Sequence, residues 1–489
     1  MIAVSGTAGG PTPQVDASAA PAARSRRHRS GFWAATFAFL VVMAVATLPS
    51  PLYGLYRTRD HLSALTITVV FAIFAASTIA VLQRDSSIAV RIGRRGTMLA
   101  SVATMMVAMG VLAAWKDLPG LLIGRLVTGV SVGLAAGTAI TYLIELRLRA
   151  DPGASSAVRA RTIGTSVTVG ALGIGPLIAG CLAQWVTHPL TVPYLVFVAL
   201  GVVALAGLWG APETGAPAPR AAAASRPAGP RRTVRLPVPA AAGTLAAFAA
   251  NGLFAGLSGL FLVTTLHRPS HALSGVALFL VFASGVASQL ATTGLRASRV
   301  LALGTISLLT GLVLLVVSVR LSAPSLALFL IAGALIGAGS GAVFKGTTGI
   351  VLEPSPPESR VAMTSDLLIA LYVGLSVPVI GAGVALDLGA SAPNTVLGFA
   401  ILVGLGVAVS GWALLGRRGS QVHSLPEGET RCRPNSWPFA CRRWRRERTR
   451  SDRGRRGRRA WPGYRGEPGR HRLCGRRDRP QRAGAEGTV

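Results

Sequence analysis

Charged side chains interrupt the apolar segments of this 489-residue chain at Arg125, Lys345 and Asp366. A charge inside a membrane-spanning helix costs roughly 2.5–3.5 kcal/mol on insertion scales unless it is paired or reaches the interface. Lys345 and Asp366 fall at similar depth near the same end of two consecutive antiparallel helices, so we predict that they form an ion pair. The simplest interpretation of this pair is a static brace, and Arg125 could alternatively extend to the outer interface.

The composition is that of a membrane protein with many spans. Hydrophobic residues make up 51% of the chain and charged residues 14%, and the mean hydropathy is +0.53. Windows of about 20 apolar residues, enough to cross ~30 Å of hydrocarbon, recur along the chain, the first near residues 32–56. We therefore predict an all-α membrane protein with 12 transmembrane helices in two pseudo-symmetric six-helix bundles. The predicted parts are a disordered arm (1–31), an N-terminal bundle (32–212), a linker (213–237), a C-terminal bundle (238–416) and a basic tail (417–489).

Lysine and arginine are distributed unevenly between the loops. With the N-terminus inside, the inner segments before the tail hold 20 of them and the outer loops five. Because such residues are retained in the cytoplasm, we predict a multi-pass protein of the inner (cytoplasmic) membrane with both termini cytoplasmic. The tail interleaves arginine with tryptophan and could bind RNA or anionic headgroups. We favour a disordered or out-of-frame extension and expect no nucleic-acid partner.

Glycine recurs at every fourth position in two apolar runs. The first run contains Gly129 and Gly133, and the second contains Gly333 and Gly337, 204 residues further on. Small residues at this spacing share one helix face and let another backbone approach closely in lipid. The two runs therefore predict tightly packed helices in corresponding places of two similar halves, an architecture typical of transporters.

A basic loop follows the second predicted span. Its sequence, RDSSIAVRIGRRG, resembles the GxxxDRxGRR loop motif of the major facilitator superfamily, with Arg91, Arg94 and Arg95 matching. Ser86 and Val90 stand where that family has glycine and aspartate. A basic inner loop is also what the orientation alone predicts. Glu145 ends the fourth span on the same side, and pairing with Arg91 or Arg94 is its simplest interpretation.

Two further spans carry the resemblance. In the fourth, Arg125, Gly129 and Gly133 match the superfamily motif RxxxGxxxG, and the resemblance implies that this arginine lies near the proton-transfer path of proton-driven members.

The fifth span, GALGIGPLIAG, is similar to the proline-containing antiporter motif of exporters, with Gly175, Pro176 and Gly180 in place. The proline bends the helix and the glycines allow close packing against a neighbour. This motif favours export over uptake.

Taken as a whole, residues 32–418 resemble a 12-span, drug-efflux-like proton antiporter of the major facilitator superfamily. The resemblance implies proton-coupled efflux of a small, fairly apolar compound by alternating access. The alternatives are a proton-coupled metabolite uptake symporter and a nontransporting membrane anchor with a basic tail. The resemblance also implies that the tenth and eleventh spans border the central cavity, so the Lys345 and Asp366 pair could be a titrating coupling site or a substrate counter-charge instead of a static brace. The predicted coupling and gating residues are Arg125, Lys345, Asp366, Glu145, Arg91, Arg94 and Arg95.

Weaker candidates for the substrate cavity are the polar groups within spans, Tyr53, Asn251, Gln289 and Tyr372. Hydrogen bonds between helices are the commoner role of such residues. We expect no enzymatic activity, no metal and no cofactor other than the proton gradient. The expected partners are a small-molecule substrate and membrane lipids, and the expected state is a monomer.

Overall fold

The computed structural model describes residues 19–83, 85–214 and 236–423, and its regular elements in these ranges are helices. The prediction of an all-α membrane protein is confirmed. The α-helices of the described ranges are α1 (Ala19–Ala44), α2 (Tyr53–Asp60), α3 (Ala64–Leu82), α4 (Asp85–Ala114), α5 (Leu118–Ala150), α6 (Ala154–Trp185), α7 (Val192–Gly210), α8 (Val238–Thr264), α9 (His271–Ala291), α10 (Ala297–Arg320), α11 (Leu326–Leu352), α12 (Pro357–Asp387) and α13 (Ala392–His423).

Several of these helices begin at a serine. The hydroxyls of Ser63, Ser270 and Ser325 each accept a hydrogen bond from the N–H three residues further on, at the starts of α3, α9 and α11. A serine in this position satisfies one of the N–H groups that the first helical turn leaves unpaired. At the other end of a helix, α12 is followed by Gly389 with φ +89°, a left-handed conformation that glycine adopts without strain.

Eleven helices of the described ranges, α3 to α13, are long and apolar enough to cross a membrane. The remaining predicted span, near residues 32–56, is interrupted. Its helix α1 ends at Ala44, a turn and a 3-10 helix (Ser50–Leu52) follow, and the short α2 completes the segment. The first half of α1 carries the basic sequence RSRRHR, and its apolar run begins only after Ser30.

The helices form two bundles with the same packing pattern. In the first, α1 contacts α5, α6 and α7, and α4 contacts α5 and α7. In the second, α8 takes the place of α1, and α10 packs in the same way against α11 and α13. The bundles meet where α6 packs on α9 and where α12 packs on α3. These two contacts are also equivalent, so the duplication predicted from the glycine spacing extends to the whole fold.

The glycine runs lie where α5 meets α3 and where α11 meets α9. A Cβ atom added at Gly129 would lie 2.2 Å from the carbonyl oxygen of Phe74, and one at Gly337 would lie 1.8 Å from that of Val281. Both distances are far inside van der Waals contact, so only glycine permits this spacing.

The predicted arm and tail are only partly described. Helix α1 begins at Ala19, so residues 19–31 are helical instead of forming a disordered arm, and Gly31 lies against Ala211 and Pro212. Helix α13 continues to His423, beyond the predicted boundary at 416. Residues 1–18, 215–235 and 424–489 lie outside the described residues, and the predictions made for them stay predictions.

Candidate functional site

The candidate site lies between the two bundles. We call the end of the molecule at which α6 and α12 finish the outer end, after the orientation predicted from the sequence, and the opposite end the inner end. In the described part of the chain, the hydrogen bonds between the bundles join α6 to α9 and α12 to α3 at the outer end. The two bundles are therefore joined directly at the outer end.

Arg125 lies inside the N-terminal bundle with 0% of its surface exposed. Its Nη1 donates a hydrogen bond of 2.8 Å to the carbonyl oxygen of Ala46. Ala46 follows the end of α1, where carbonyl groups have no partner within a helix. The guanidinium carbon lies 4.5 Å from the ring centroid of Phe74 and 5.6 Å from that of Phe71. Arg125 is thus buried, and the alternative of an arginine extending to the outer interface is wrong for this conformation.

Two donors of Arg125 are left over. Its Nε and Nη2 have no hydrogen-bond partner among the described residues, and no carboxylate of that part of the chain forms an ion pair with it. A buried cation without a counter-charge is costly. Such groups are characteristic of functional sites within membranes.

An aromatic contact connects Arg125 to the other bundle. Phe74, which packs under the guanidinium, also contacts Tyr372 of α12 edge to face, with ring centroids 5.9 Å apart. Tyr372 is buried. A movement of α12 away from α3 would therefore remove the contact of Tyr372 with Phe74, the ring that packs on Arg125.

Further polar groups line a small cavity between the bundles at the outer end. The cavity has a volume of about 80 Å³. Ser50 and Tyr53 of the first bundle and Gly256 and Leu260 of α8 contribute to its walls. The hydroxyl groups of Ser50 and Tyr53 are buried and have no hydrogen-bond partner within the described ranges. They could therefore bind a small polar ligand or a water molecule.

A second pair of tyrosines lies beside this region. Tyr56 and Tyr194 are fully buried, and their hydroxyl oxygens are 3.2 Å apart. Sequence reasoning missed both tyrosines and Ser50. The signal for Ser50 was its position between two prolines in LPSPLYG, which indicates a break in the helix.

The structure separates Lys345 from Asp366. The amine of Lys345 donates to the carbonyl oxygen of Gln289 and to Oγ1 of Thr292, at the end of α9, whereas Asp366 is exposed. The predicted ion pair is absent because α11 and α12, although consecutive, are not close neighbours. Helix α12 packs mainly against α8 and α3, and α11 packs mainly against α10 and α9.

The inner loop motif joins three helices of the N-terminal bundle. Glu145 Oε2 lies 2.7 Å from Arg94 Nε, which is the predicted pairing. Arg95 donates to the carbonyl oxygens at the end of α7. Arg91 lies in a part of α4 whose side chains are outside the described set.

Glu213 completes this inner site, and sequence reasoning missed it. Its two carboxylate oxygens accept hydrogen bonds of 3.0 Å from the backbone N–H groups of Arg94 and Arg95. Gly93 precedes them with φ +76°, and a Cβ atom there would lie 2.8 Å from the same carboxylate. Glycine is therefore required at this position of the motif.

The remaining polar candidates, Asn251 and Gln289, lie within the C-terminal bundle. Asn251 and Ser340 exchange hydrogen bonds of 2.9 and 3.1 Å between α8 and α11. Gln289 is buried, and its Nε2 has no partner in the described part. Asn251 is thus a helix-packing group, which was the commoner interpretation of such residues.

The proline-containing helix α6 contacts both bundles. A Cβ atom at Gly175 would lie 1.9 Å from the carbonyl oxygen of Ala44, on α1. One at Gly180 would lie 2.5 Å from that of His271, across the bundle interface. The backbone of Pro176 approaches Gly275 of α9 equally closely. This half of the motif therefore lies where the bundles must separate if the outer end opens.

Comparisons with known proteins agree with this architecture. A sequence profile described as "Sugar (and other) transporter" matches residues 18–148. The structure is similar to the crystal structure of the nucleoside transporter NupG (D323A mutant), with a TM-score of 0.58 and 10% sequence identity, over 79% of this chain and 99% of that one. The chain has the major facilitator fold. No curated protein sequence matches it.

The profile match supports a multi-pass membrane transporter, not an enzyme, and the structural similarity supports the fold. Neither comparison bears on the predicted assignment to the drug-efflux group. Among the described residues, no cluster of three or more His, Cys, Asp or Glu side chains could hold a metal ion.

Proposed function

We propose that this protein is a proton-coupled secondary transporter that moves a small organic molecule by alternating access. The observation that carries the proposal is Arg125, a fully buried cation with two unpaired donors that packs through Phe74 against Tyr372 of the opposite bundle. A bundle that served only as an anchor has no use for such a charge. The nontransporting anchor is therefore the least favoured alternative.

In this proposal Arg125 links the proton to the movement of the bundles. The guanidinium keeps its charge, so it stabilises any anionic group that approaches its free Nε and Nη2. With the outer end closed, Phe71, Phe74 and the Ala46 carbonyl enclose it. Separation of α12 from α3 would remove Tyr372 from Phe74 and open the region to water, protons and substrate.

We propose a small polar metabolite as the substrate. The matched profile describes sugar and other transporters, and the similar structure is that of a nucleoside transporter. Both favour a ligand rich in hydroxyl groups over the fairly apolar compound expected from the sequence. The unpaired hydroxyls of Ser50 and Tyr53 in the outer cavity suit such a ligand.

We propose export as the direction of transport. The support is the resemblance of α6 to the exporter motif, together with the position of Gly180 and Pro176 at the bundle interface. Location in the inner membrane, with both termini in the cytoplasm, is part of the same proposal. Uptake by symport is the second candidate. Its support is the match of residues 18–148 to a profile of sugar and other transporters.

The test is gradient-driven flux in proteoliposomes, with a panel of radiolabelled sugars, nucleosides and apolar drugs. We expect flux of at least one polar metabolite that depends on an imposed pH gradient and is lost in Arg125→Met. The control is Arg320→Met, because Arg320 is an exposed arginine that binds Asn394 at the outer end of α10. The sign of the pH gradient that drives accumulation separates antiport from symport.

Two results would contradict the proposal. One is equal gradient-driven flux in Arg125→Met and the parent protein. The other is the absence of flux for every compound on the panel while folded protein is present in the vesicles, which would favour the anchor.

A further inference from the structure

The outer end of the molecule is held by two side chains that each cross from one bundle to the other. Oε1 of Gln184, at the end of α6, accepts hydrogen bonds from His271 N at 3.0 Å and from Ser270 Oγ at 3.2 Å. The carboxylate of Asp387, at the end of α12, accepts from Ala64 N at 3.0 Å and Leu65 N at 3.2 Å. In both cases the acceptor lies at a helix C-terminus and the backbone donors at the N-terminus of a helix in the other bundle.

The two contacts are copies of one unit. Gly180 and Gln184 lie 203 residues before Gly383 and Asp387, and in each pair the glycine comes one helical turn before the acceptor. A Cβ atom at Gly180 would lie 2.5 Å from a carbonyl oxygen of α9, and one at Gly383 would lie 2.4 Å from Thr68 Oγ1 of α3. The glycine therefore lets the helices approach closely enough for the acceptor one turn later to reach across.

Gln184 and Asp387 accept hydrogen bonds from N–H groups at helix N-termini that, among the described residues, have no partner within their own bundle. Ser63 accepts the N–H of Thr66 at the start of α3, and Ser270 accepts that of Leu273 at the start of α9. The N–H groups of the first helical position, in Ala64 and His271, then bond only across the interface in the described part. The first N–H groups of a helix have no partner within it and carry a partial positive charge.

We propose that Gln184 and Asp387 are the two latches of an outer gate, which hold the bundles closed at this end and must release before it can open. This inference rests on alternating access as proposed above. When the gate opens, water replaces each acceptor at a modest cost, so both conformers stay accessible. The Asp387 latch is the stronger of the two, because a carboxylate binds N–H groups more strongly than the neutral amide oxygen of Gln184 does.

The test measures distances between spin labels in purified protein, so it needs neither a known substrate nor a known membrane orientation. The background replaces the four native cysteines by serine. One label pair, at Lys116 and Ser322, reports on equivalent outer loops of the two bundles. A second pair, at the exposed residues Ser155 and Thr293, reports on the inner end.

We expect Asp387→Ala to raise the ratio of outer-open to outer-closed distances by about tenfold, and Gln184→Ala to raise it by about threefold. The distance between the two inner labels should shorten in the same molecules. Asp387→Asn keeps one acceptor oxygen without the charge and should fall between Asp387→Ala and the parent. The matched control is Asp117→Ala, because Asp117 is an outer carboxylate that binds Arg59 within one bundle.

A second pair of variants distinguishes opening of the gate from misfolding. Gly383→Leu should open the outer end by steric contact with Thr68, whereas Gly381→Leu, on the same helix with nothing within 4 Å, should not. Unchanged outer distances in Asp387→Ala and Gln184→Ala, with protein that remains monodisperse, would overturn the latch. If the distances shift but no compound is transported, the latch stands and the proposed function fails, so the two failures are distinguishable.

Discussion

Lys345 offers the sharpest test of the side-chain assignments, because the structure replaces its predicted partner Asp366 with the end of α9. The half-buried amine donates to the carbonyl oxygen of Gln289 and to Thr292 Oγ1. A cation at a helix C-terminus is favourable, and hydrogen bonds from a charged donor contribute about 1.5–3 kcal/mol. Because Lys345 is partly exposed, we take the lower end and expect Lys345→Met to cost about 1.5 kcal/mol.

Thermal unfolding in detergent measures this cost. For a bundle of this size, 1.5 kcal/mol corresponds to a fall in Tm on the order of 3–6 °C. Lys345→Arg keeps a donor and should recover part of the loss. Asp366→Asn changes an exposed side chain and should shift stability by less than about 0.5 kcal/mol.

The double variant decides between the two partners. If Lys345 binds α9, the effects of Lys345→Met and Asp366→Asn should add to within about 0.5 kcal/mol, because the residues do not touch. If the double variant is clearly more stable than Lys345→Met alone, the two charges interact and our assignment is refuted.

Three further outcomes follow from the contacts described above. Gly180→Leu should lengthen the outer distances between labels at Lys116 and Ser322, because its side chain meets the α9 backbone, and Gly110→Leu, with nothing within 4 Å, is the control. Glu213→Ala should lower Tm by several degrees through the loss of two N–H bonds at the inner loop, and Glu213→Gln, if as stable as the parent, would contradict a charge-assisted role. Deletion of residues 424–489 should leave flux unchanged, because α13 ends at His423, and a loss of flux at equal abundance would give the tail a function.

The sequence was sufficient for the fold because the information needed is local and repeated. A membrane span needs about 20 apolar residues in a row, and any window of the chain reports this directly. The spacing of Gly129 and Gly333 then related the halves to each other. The glycine runs lie at corresponding contacts of the two bundles, where α5 meets α3 at Gly129 and α11 meets α9 at Gly337.

Side-chain partners were harder to predict because they depend on which helices are neighbours. Lys345 and Asp366 lie on consecutive helices, yet α12 packs on α8 and α3. Glu213 and Asp387 reach backbone N–H groups that are 118 to 323 residues away in the chain. No local pattern marks a carboxylate as the acceptor for the first turn of a distant helix.

The break in the first span shows how a local signal and a distant consequence combine. The apolar run over residues 32–56 predicts one helix by hydropathy, but Pro49 and Pro51 each lack an N–H donor and disfavour a helical residue before them. The helix in fact ends at Ala44, so Ala46 presents a carbonyl oxygen without a partner in the helix. That oxygen is the acceptor for Arg125, 79 residues further on. The interruption therefore creates the site that holds the buried cation, and a continuous helix through Ala46 would bury the charge without this partner.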